Sequence, residues 1–298
     1  MKRLFCPKKL CIYHRVDLDG QCSAAIVRMR HPDVELLGWT YGDSIPSEQI
    51  ADADRIILVD ISFPPDVMLE IGTNRSIIWI DHHQTAIEDA TNGRYDLVPG
   101  LRRSGTAACE LCWEYFYPEE PLPRAVWLIG QWDVWNWPKL PEKDEIEAFQ
   151  FGLRKEDTDP QNDRLWQELF SDREDDLYRC GGHRGLGRHI TRDGEVIIKY
   201  KNKQKTRMAS STFETEIDGH RVLALNAGGG SAVFDSVWSK HPDCVAMLSF
   251  VWRGDKWTCS LYSDRGFDCS SVAKAHGGGG HAGAAGFESQ KLPFAPFI

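Results

Sequence analysis

Short apolar, β-branched runs alternate with helix-length segments through the first half of the chain. This is the pattern of strands joined by crossover helices into a buried parallel sheet. Leu10 to Tyr13 is one such run, stopping at His14, and the loop Arg15-Val16-Asp17-Leu18-Asp19-Gly20 then leads into a helix predicted over 21–30. Val34 to Thr40 predicts a second strand. Ile56-Ile57-Leu58-Val59 ends at Asp60, and Ile77-Ile78-Trp79-Ile80 ends at Asp81-His82-His83. Three apolar strands thus end in acidic or imidazole groups, and open α/β sheets gather ligands just beyond the carboxyl ends of their strands. Further on, Ser104-Gly105-Thr106 predicts the cap of a helix reaching Tyr117, and Pro121 predicts the opening of another that runs towards Trp132 and Asp133.

Between about Asp157 and Ser211 the pattern turns polar and helical, with the charged run Ser171 to Asp176, the pair Gly181-Gly182 and the basic tract Lys199 to Arg207. Strands resume after it. Phe213 to Ile217 and Arg221 to Ala224 flank Asp218-Gly219, a strong hairpin signal, and Val245 to Trp252 and Trp257 to Tyr262 flank Arg253-Gly254-Asp255. The division expected is a first α/β domain over 1–190, a linker over 191–212 and a smaller α+β domain over 213–298, which ends in the unusual tract Gly277 to Phe287.

Composition narrows the function classes. The 298 residues carry Lys+Arg 35 against Asp+Glu 44, a net charge of −9, so no overall positive field draws in long nucleic acid or an anionic membrane. A short charged substrate held by a local site fits better. No apolar stretch approaches the roughly 20 residues of a membrane span, and the polar start Met1 to Lys9 is unlike a signal peptide, so a cytoplasmic protein is expected. Nine cysteines scattered through apolar segments suit reduced thiols. Cys109 and Cys112 have the spacing of half a zinc site but no second close pair, and core thiols are the preferred reading.

The chemistry lies in His14, Asp17, Asp19, Asp60, His82 and Asp133. Carboxylates suit Mg²⁺ or Mn²⁺, and the added imidazoles tilt the choice towards Mn²⁺. Six ligands serve two ions if one carboxylate bridges, and a close ion pair suits attack of water on a phosphoryl group. Val16-Asp17-Leu18-Asp19-Gly20, Val59-Asp60-Ile61-Ser62, Asp81-His82-His83 and Gly277 to Phe287, in that order, resemble the successive signatures of the DHH phosphoesterases. Ser260 to Ser263 before the glycine tract is most similar to the NrnB-type oligoribonucleases.

The resemblance implies a metal-binding α/β domain, a DHH-associated domain and substrate in the cleft between them. It implies one ion on Asp19, Asp60, His82 and Asp133 and another on His14, Asp17 and Asp60, with Asp81 orienting His82 and His83 touching the scissile phosphate. Many members place three residues between the first His and Asp, whereas two separate His14 from Asp17. Gly278, Gly279, Gly280 and His281 are expected to bind substrate through backbone N–H groups and an imidazole. Arg103, beside Arg102 ahead of a predicted helix start, is the further anion-binding candidate; a solvated basic pair is the equal alternative. Trp132, Trp135 and Trp137 serve either as core packing or as a stacking surface for bases.

The activity implied is manganese-dependent hydrolysis of short RNA or linear dinucleotides to 5′-mononucleotides by a monomer or homodimer. Alternatives are a cyclic dinucleotide or cyclic mononucleotide phosphodiesterase, a 3′-phosphoadenosine 5′-phosphate phosphatase, and a non-catalytic nucleotide-binding module.

Overall fold

The computed structural model describes residues 7–93, 95, 98–171, 185–292 and 294. The chain start through Cys6, the run Asp172 to Asp176 and the pair Gly181-Gly182 lie outside the described residues. Two compact units divide at Ile198 and Lys199.

In the first unit β1 (Lys9–His14), α1 (Leu18–Arg30), β2 (Glu35–Trp39), α2 (Ser47–Asp52), β3 (Arg55–Val59), α3 (Pro65–Asn74), β4 (Ser76–Ile80) and α4 (Gln84–Gly93) alternate as the pattern predicts. The strands form a four-stranded sheet in the order β2-β1-β3-β4, each neighbouring pair parallel. Both faces are covered. Cys11, Ile57, Val59, Ile78 and Ile80 pack into one core with α1, α5 (Ala108–Phe116), α6 (Arg124–Asp133), α7 (Lys143–Leu153) and α8 (Asp163–Ser171). Leu10, Ile12, Ile56, Leu58, Ile77 and Trp79 pack on the other side with Met68 and Ile71 of α3 and Ala86 and Ala90 of α4. Successive strand residues point to opposite faces, so a strand buried on both sides is apolar at every position. Its first polar residue is therefore also its end.

Two helix starts differ from expectation. α5 begins at Ala108 and Ser104 does not cap it; α6 begins at Arg124, after Pro123 rather than Pro121. The cap of α5 comes from a distant carboxylate, described below. α9 (Leu186–Ala209) is one helix crossing the division between the units, where a linker over 191–212 is expected.

The second unit has β5 (Phe213–Ile217), β6 (His220–Leu225), β7 (Ala246–Trp252), β8 (Trp257–Tyr262), α10 (Cys269–Ala275), β9 (Gly279–His281) and β10 (Ala284–Ser289). Its six-stranded sheet runs β5-β6-β7-β8-β10-β9, antiparallel except for the parallel β6–β7 pair. The β5–β6 hairpin turns through Asp218 (φ 50°) and Gly219 (φ 79°), the two left-handed residues that the Asp-Gly pair predicts. All seven described cysteines are buried and unpaired, Cys109 and Cys112 among them.

Candidate metal centre

The strand ends deliver the predicted side chains to one place. His14 is the last residue of β1, Asp17 is the N-cap of α1 and Asp19 lies in that helix's first turn. Asp17 accepts a hydrogen bond from Gly20 N at 3.0 Å. Gly20 has no room for a side chain, because a Cβ there would meet His14 O at 2.0 Å. The glycine thus lets the start of α1 close on the end of β1, which brings Asp17 beside His14. Asp60 follows β3 with a left-handed backbone (φ 60°), its N–H held by Ile80 O at 3.0 Å. His82 and His83 follow β4, and Asp133 ends α6.

Asp60 is the hub of the cluster. Its Oδ1 lies 3.2 Å from His82 Nε2 and its Oδ2 lies 3.6 Å from His14 Nδ1. His14 Nδ1 is also 2.7 Å from Asp17 Oδ2. His82 Nε2 is 3.6 Å from Asp19 Oδ2 and 3.3 Å from Asp133 Oδ2. Ligand atoms of His14, Asp17 and Asp60 converge within 4.8 Å of one another, as do those of Asp19, His82 and Asp133, and those of Asp60, His82 and His83. His14 Nδ1 and Asp60 Oδ1 are buried, and despite these close approaches neither has a hydrogen bond of good geometry. Crowded oxygen and imidazole donors with orphaned buried atoms fit divalent cations.

Electrostatics point the same way. Burial, reinforced by Asp60, pushes the Asp19 carboxyl up to about 7. Burial and the neighbouring Asp19 push Asp133 to about 7, and burial raises Asp60 as well. The Asp17 carboxylate, with Asp60, lifts His14 to about 10. Burial opposes charge on His82, but Asp60, Asp19 and Asp133 outweigh it and raise the imidazole to about 9. Without a cation, protons hold this cluster together.

The supporting contacts correct two expectations. Asp81, fully buried, receives the backbone N–H of His82 at 2.7 Å and of His83 at 3.2 Å, while its Oδ1 lies 2.7 Å from His83 Nδ1. It therefore orients the ring of His83, not that of His82, and raises the His83 pKa. Asp19 accepts from Ala108 N at 2.9 Å and Cys109 N at 2.7 Å, capping α5 across the fold. A carboxylate needed at the cluster thus also supplies the helix cap that Ser104 does not.

Arg103 is half-exposed and bound to the Glu114 carboxylate, with Nε donating to Thr106 Oγ1 at 3.3 Å. Its backbone N–H meets Asp81 O at 3.3 Å, so its chain position adjoins the cluster even though its side chain is engaged elsewhere. Arg102 turns inward instead, donating to Trp79 O at 3.0 Å and Val98 O at 2.8 Å.

Three residues escape sequence reasoning. Thr40 lies 3.2 Å from His14 Nε2, and Tyr41 faces both His14 and His83 with ring centroids 6.0 and 6.4 Å away. Both follow β2, so a rule applied to three strand ends holds at the fourth. Glu110 on α5 is raised to about 7 by burial and by Asp19, and accepts from Gln131 Nε2 at 3.3 Å. Its place among apolar neighbours was the available signal.

In the second unit, α10 ends with Gly277 left-handed (φ 78°), Gly277 N donating to Lys274 O and Gly278 N to Ala273 O. A Cβ on Gly278 would meet Gly286 O at 2.1 Å, and one on Gly280 would meet Ala285 Cα at 2.6 Å. These glycines admit close packing on β10, whereas Gly279 has open space around it and His281 is exposed.

Solved structures share this fold. The pGpG-specific phosphodiesterase PggH of Vibrio cholerae superposes with a TM-score of 0.52 at 12% identity, over 95% of this chain and 93% of that one. RecJ of Thermus thermophilus, solved with Mn²⁺, matches with a TM-score of 0.35 at 14% identity, over 95% of this chain and 50% of that one. An uncharacterized protein of Acanthamoeba polyphaga mimivirus is 25% identical over 242 residues, 78% of this chain and 52% of its own length. The chain therefore spans about half the length of the curated relative it matches. No protein-family model matches it.

Proposed function

We propose that this chain is a divalent-metal-dependent phosphodiesterase that hydrolyses short oligoribonucleotides or linear dinucleotides to 5′-mononucleotides. The observation that carries the reading is the convergence of His14, Asp17, Asp19, Asp60, His82 and Asp133 around a shared Asp60. His14, Asp17 and Asp60 would hold one cation, and Asp19, Asp60, His82 and Asp133 the other. Mn²⁺ is favoured over Mg²⁺ by the two imidazoles. Such a pair supplies an activated water and neutralises phosphoryl charge.

The chain's own groups do the rest. Asp81 holds His83 at Nδ1, which leaves Nε2 to contact the scissile phosphate and to give a proton to the leaving oxygen. The Asp81 carboxylate raises the His83 pKa, which favours the protonated ring that such a donation needs. Arg103 would exchange its Glu114 partner for a substrate phosphate, one charge-assisted pair for another. Gly278, Gly279, Gly280 and His281 form the substrate loop of the second unit, with Gly278, Gly280 and His281 exposed and Gly279 partly so.

A linear dinucleotide as substrate agrees with the acidic net charge of −9, which disfavours long nucleic acid. The structural neighbour PggH is named for pGpG, itself a linear dinucleotide. The test is product analysis with Mn²⁺ on a linear diribonucleotide, a long RNA, a cyclic dinucleotide, cyclic AMP and 3′-phosphoadenosine 5′-phosphate. Fast conversion of the diribonucleotide with the long RNA spared is expected. Preference for a cyclic compound or the bisphosphate would overturn the substrate class and keep the metal chemistry. Cation binding without turnover of any of them would overturn the enzyme reading.

A further inference from the structure

Trp135 occupies a helix-ending position that ordinarily belongs to glycine. α6 closes with a paired turn in which Trp135 N donates to Trp132 O at 3.1 Å and Asn136 N donates to Gln131 O at 3.2 Å. The Asn136 amide also donates to Gln131 Oε1 at 2.8 Å. This motif forces the residue after the C-cap into the left-handed region, and Trp135 sits there at φ 54°. α10 ends with the same two bonds, and there the residue is Gly277.

A bulky L-residue in this conformation is strained, and burial does not offset the strain, because Trp135 is 70% exposed. The fold would be served better by glycine. What the indole gains is display. Trp132 and Trp137 stack with centroids 4.8 Å apart at 16°, and Trp135 continues the array at 6.4 Å and 24° from Trp132. The Arg154 guanidinium lies over Trp132 at 5.7 Å. Trp135 follows Asp133 by two residues, so their Cα atoms are within about 7 Å.

We propose that Trp135 is a stacking platform for one nucleobase of the short phosphodiester whose phosphate lies at the Asp60-centred cluster. The proposal rests on the phosphodiesterase reading above and adds a specificity-determining residue to it. An indole face accepts any base, so the platform selects for the presence of a base and not for its identity. A base is separated from its phosphate by one sugar, which matches a platform two residues from a ligand of the cluster.

The test compares the wild-type chain with Trp135→Gly and Trp135→Phe on a linear diribonucleotide and on its abasic analogue, with Mn²⁺. In Trp135→Gly the ratio of kcat/KM for the diribonucleotide over the analogue should fall about tenfold or more, chiefly through KM. Trp135→Phe should keep most of that ratio. The thermal midpoint of Trp135→Gly should equal or exceed that of the wild type, since glycine relieves the strained turn. Equal losses on both substrates, or no loss on either, would overturn the platform. If the wild type hydrolyses neither compound, the linear-dinucleotide reading falls and binding alone decides the inference. Quenching of tryptophan fluorescence by the diribonucleotide that disappears in Trp135→Gly supports the platform, and quenching that is absent or equal in both proteins overturns it.

Discussion

At Asp60 the backbone turns left-handed (φ 60°) at the end of a strand, and the turned carboxylate meets both His14 and His82. Asparagine tolerates this conformation almost as well as aspartate, so Asp60→Asn removes charge without disturbing the turn. Turnover and cation binding should each drop by more than ~100-fold in that variant, which isothermal titration and product assays would measure. In the metal-free protein the same change should lower the pKa of both imidazoles, because the crowded Asp60 carboxylate is one of the charges that raise them. The same crowding sets a pH dependence. Asp19 and Asp133 sit near 7 when folded, above the ordinary carboxyl value of 3.8, so the folded state binds more protons than the unfolded one between those values. Stability from these groups is fully present below about pH 4 and is lost as pH rises through 7. His14 and His82, raised to about 10 and 9 from 6.5, extend the loss further into alkali. Melting in EDTA should therefore show this contribution declining from pH 5 to 9. The stabilisation added by Mn²⁺ should grow over the same range, because cation binding must expel those protons.

Asp19 shows how one side chain can serve two elements. Its oxygens lie near His82 and also cap α5 through Ala108 N and Cys109 N, 89 and 90 residues along the chain. From the sequence alone, Asp19→Ala is expected to silence activity and leave the fold intact. The cap changes that expectation, since the substitution strands two buried N–H donors at a helix start. A stability loss of about 1–3 kcal/mol should accompany the loss of turnover, visible as a lower urea midpoint at unchanged slope. Asp17→Ala, which removes a partly exposed cap from α1, should cost about 1 kcal/mol. The strands and their polar ends were legible because a strand buried on both faces has only one place for a charged residue. The cap of α5 was not legible, because Ser104-Gly105-Thr106 offers a plausible local signal and the carboxylate that accepts from the helix start is brought in by tertiary packing. The ring that Asp81 orients was hidden for a related reason: adjacent His82 and His83 are equivalent in sequence, and only the turn after β4 decides between them.

At the scale of the whole chain, every predicted cation ligand lies in the first unit, while the glycine tract lies in the second. Sequence order made both visible, but the reasons for the glycines differ: Gly277 ends a helix, and Gly278 and Gly280 admit β10, which a motif alone does not distinguish from phosphate binding. A ligand stabilises those segments whose folded form it binds, so cation linkage should be read locally. Hydrogen exchange with and without Mn²⁺ should show increased protection at the ends of β1, β3 and β4, at the start of α1 and at the Ala108 and Cys109 amides held by Asp19. The amides of β5 to β8 should exchange at unchanged rates, because no predicted ligand lies on those strands. Protection appearing chiefly in β5 to β8 would move the cation site away from the strand ends, and with it the assignment of Asp60 as the shared ligand.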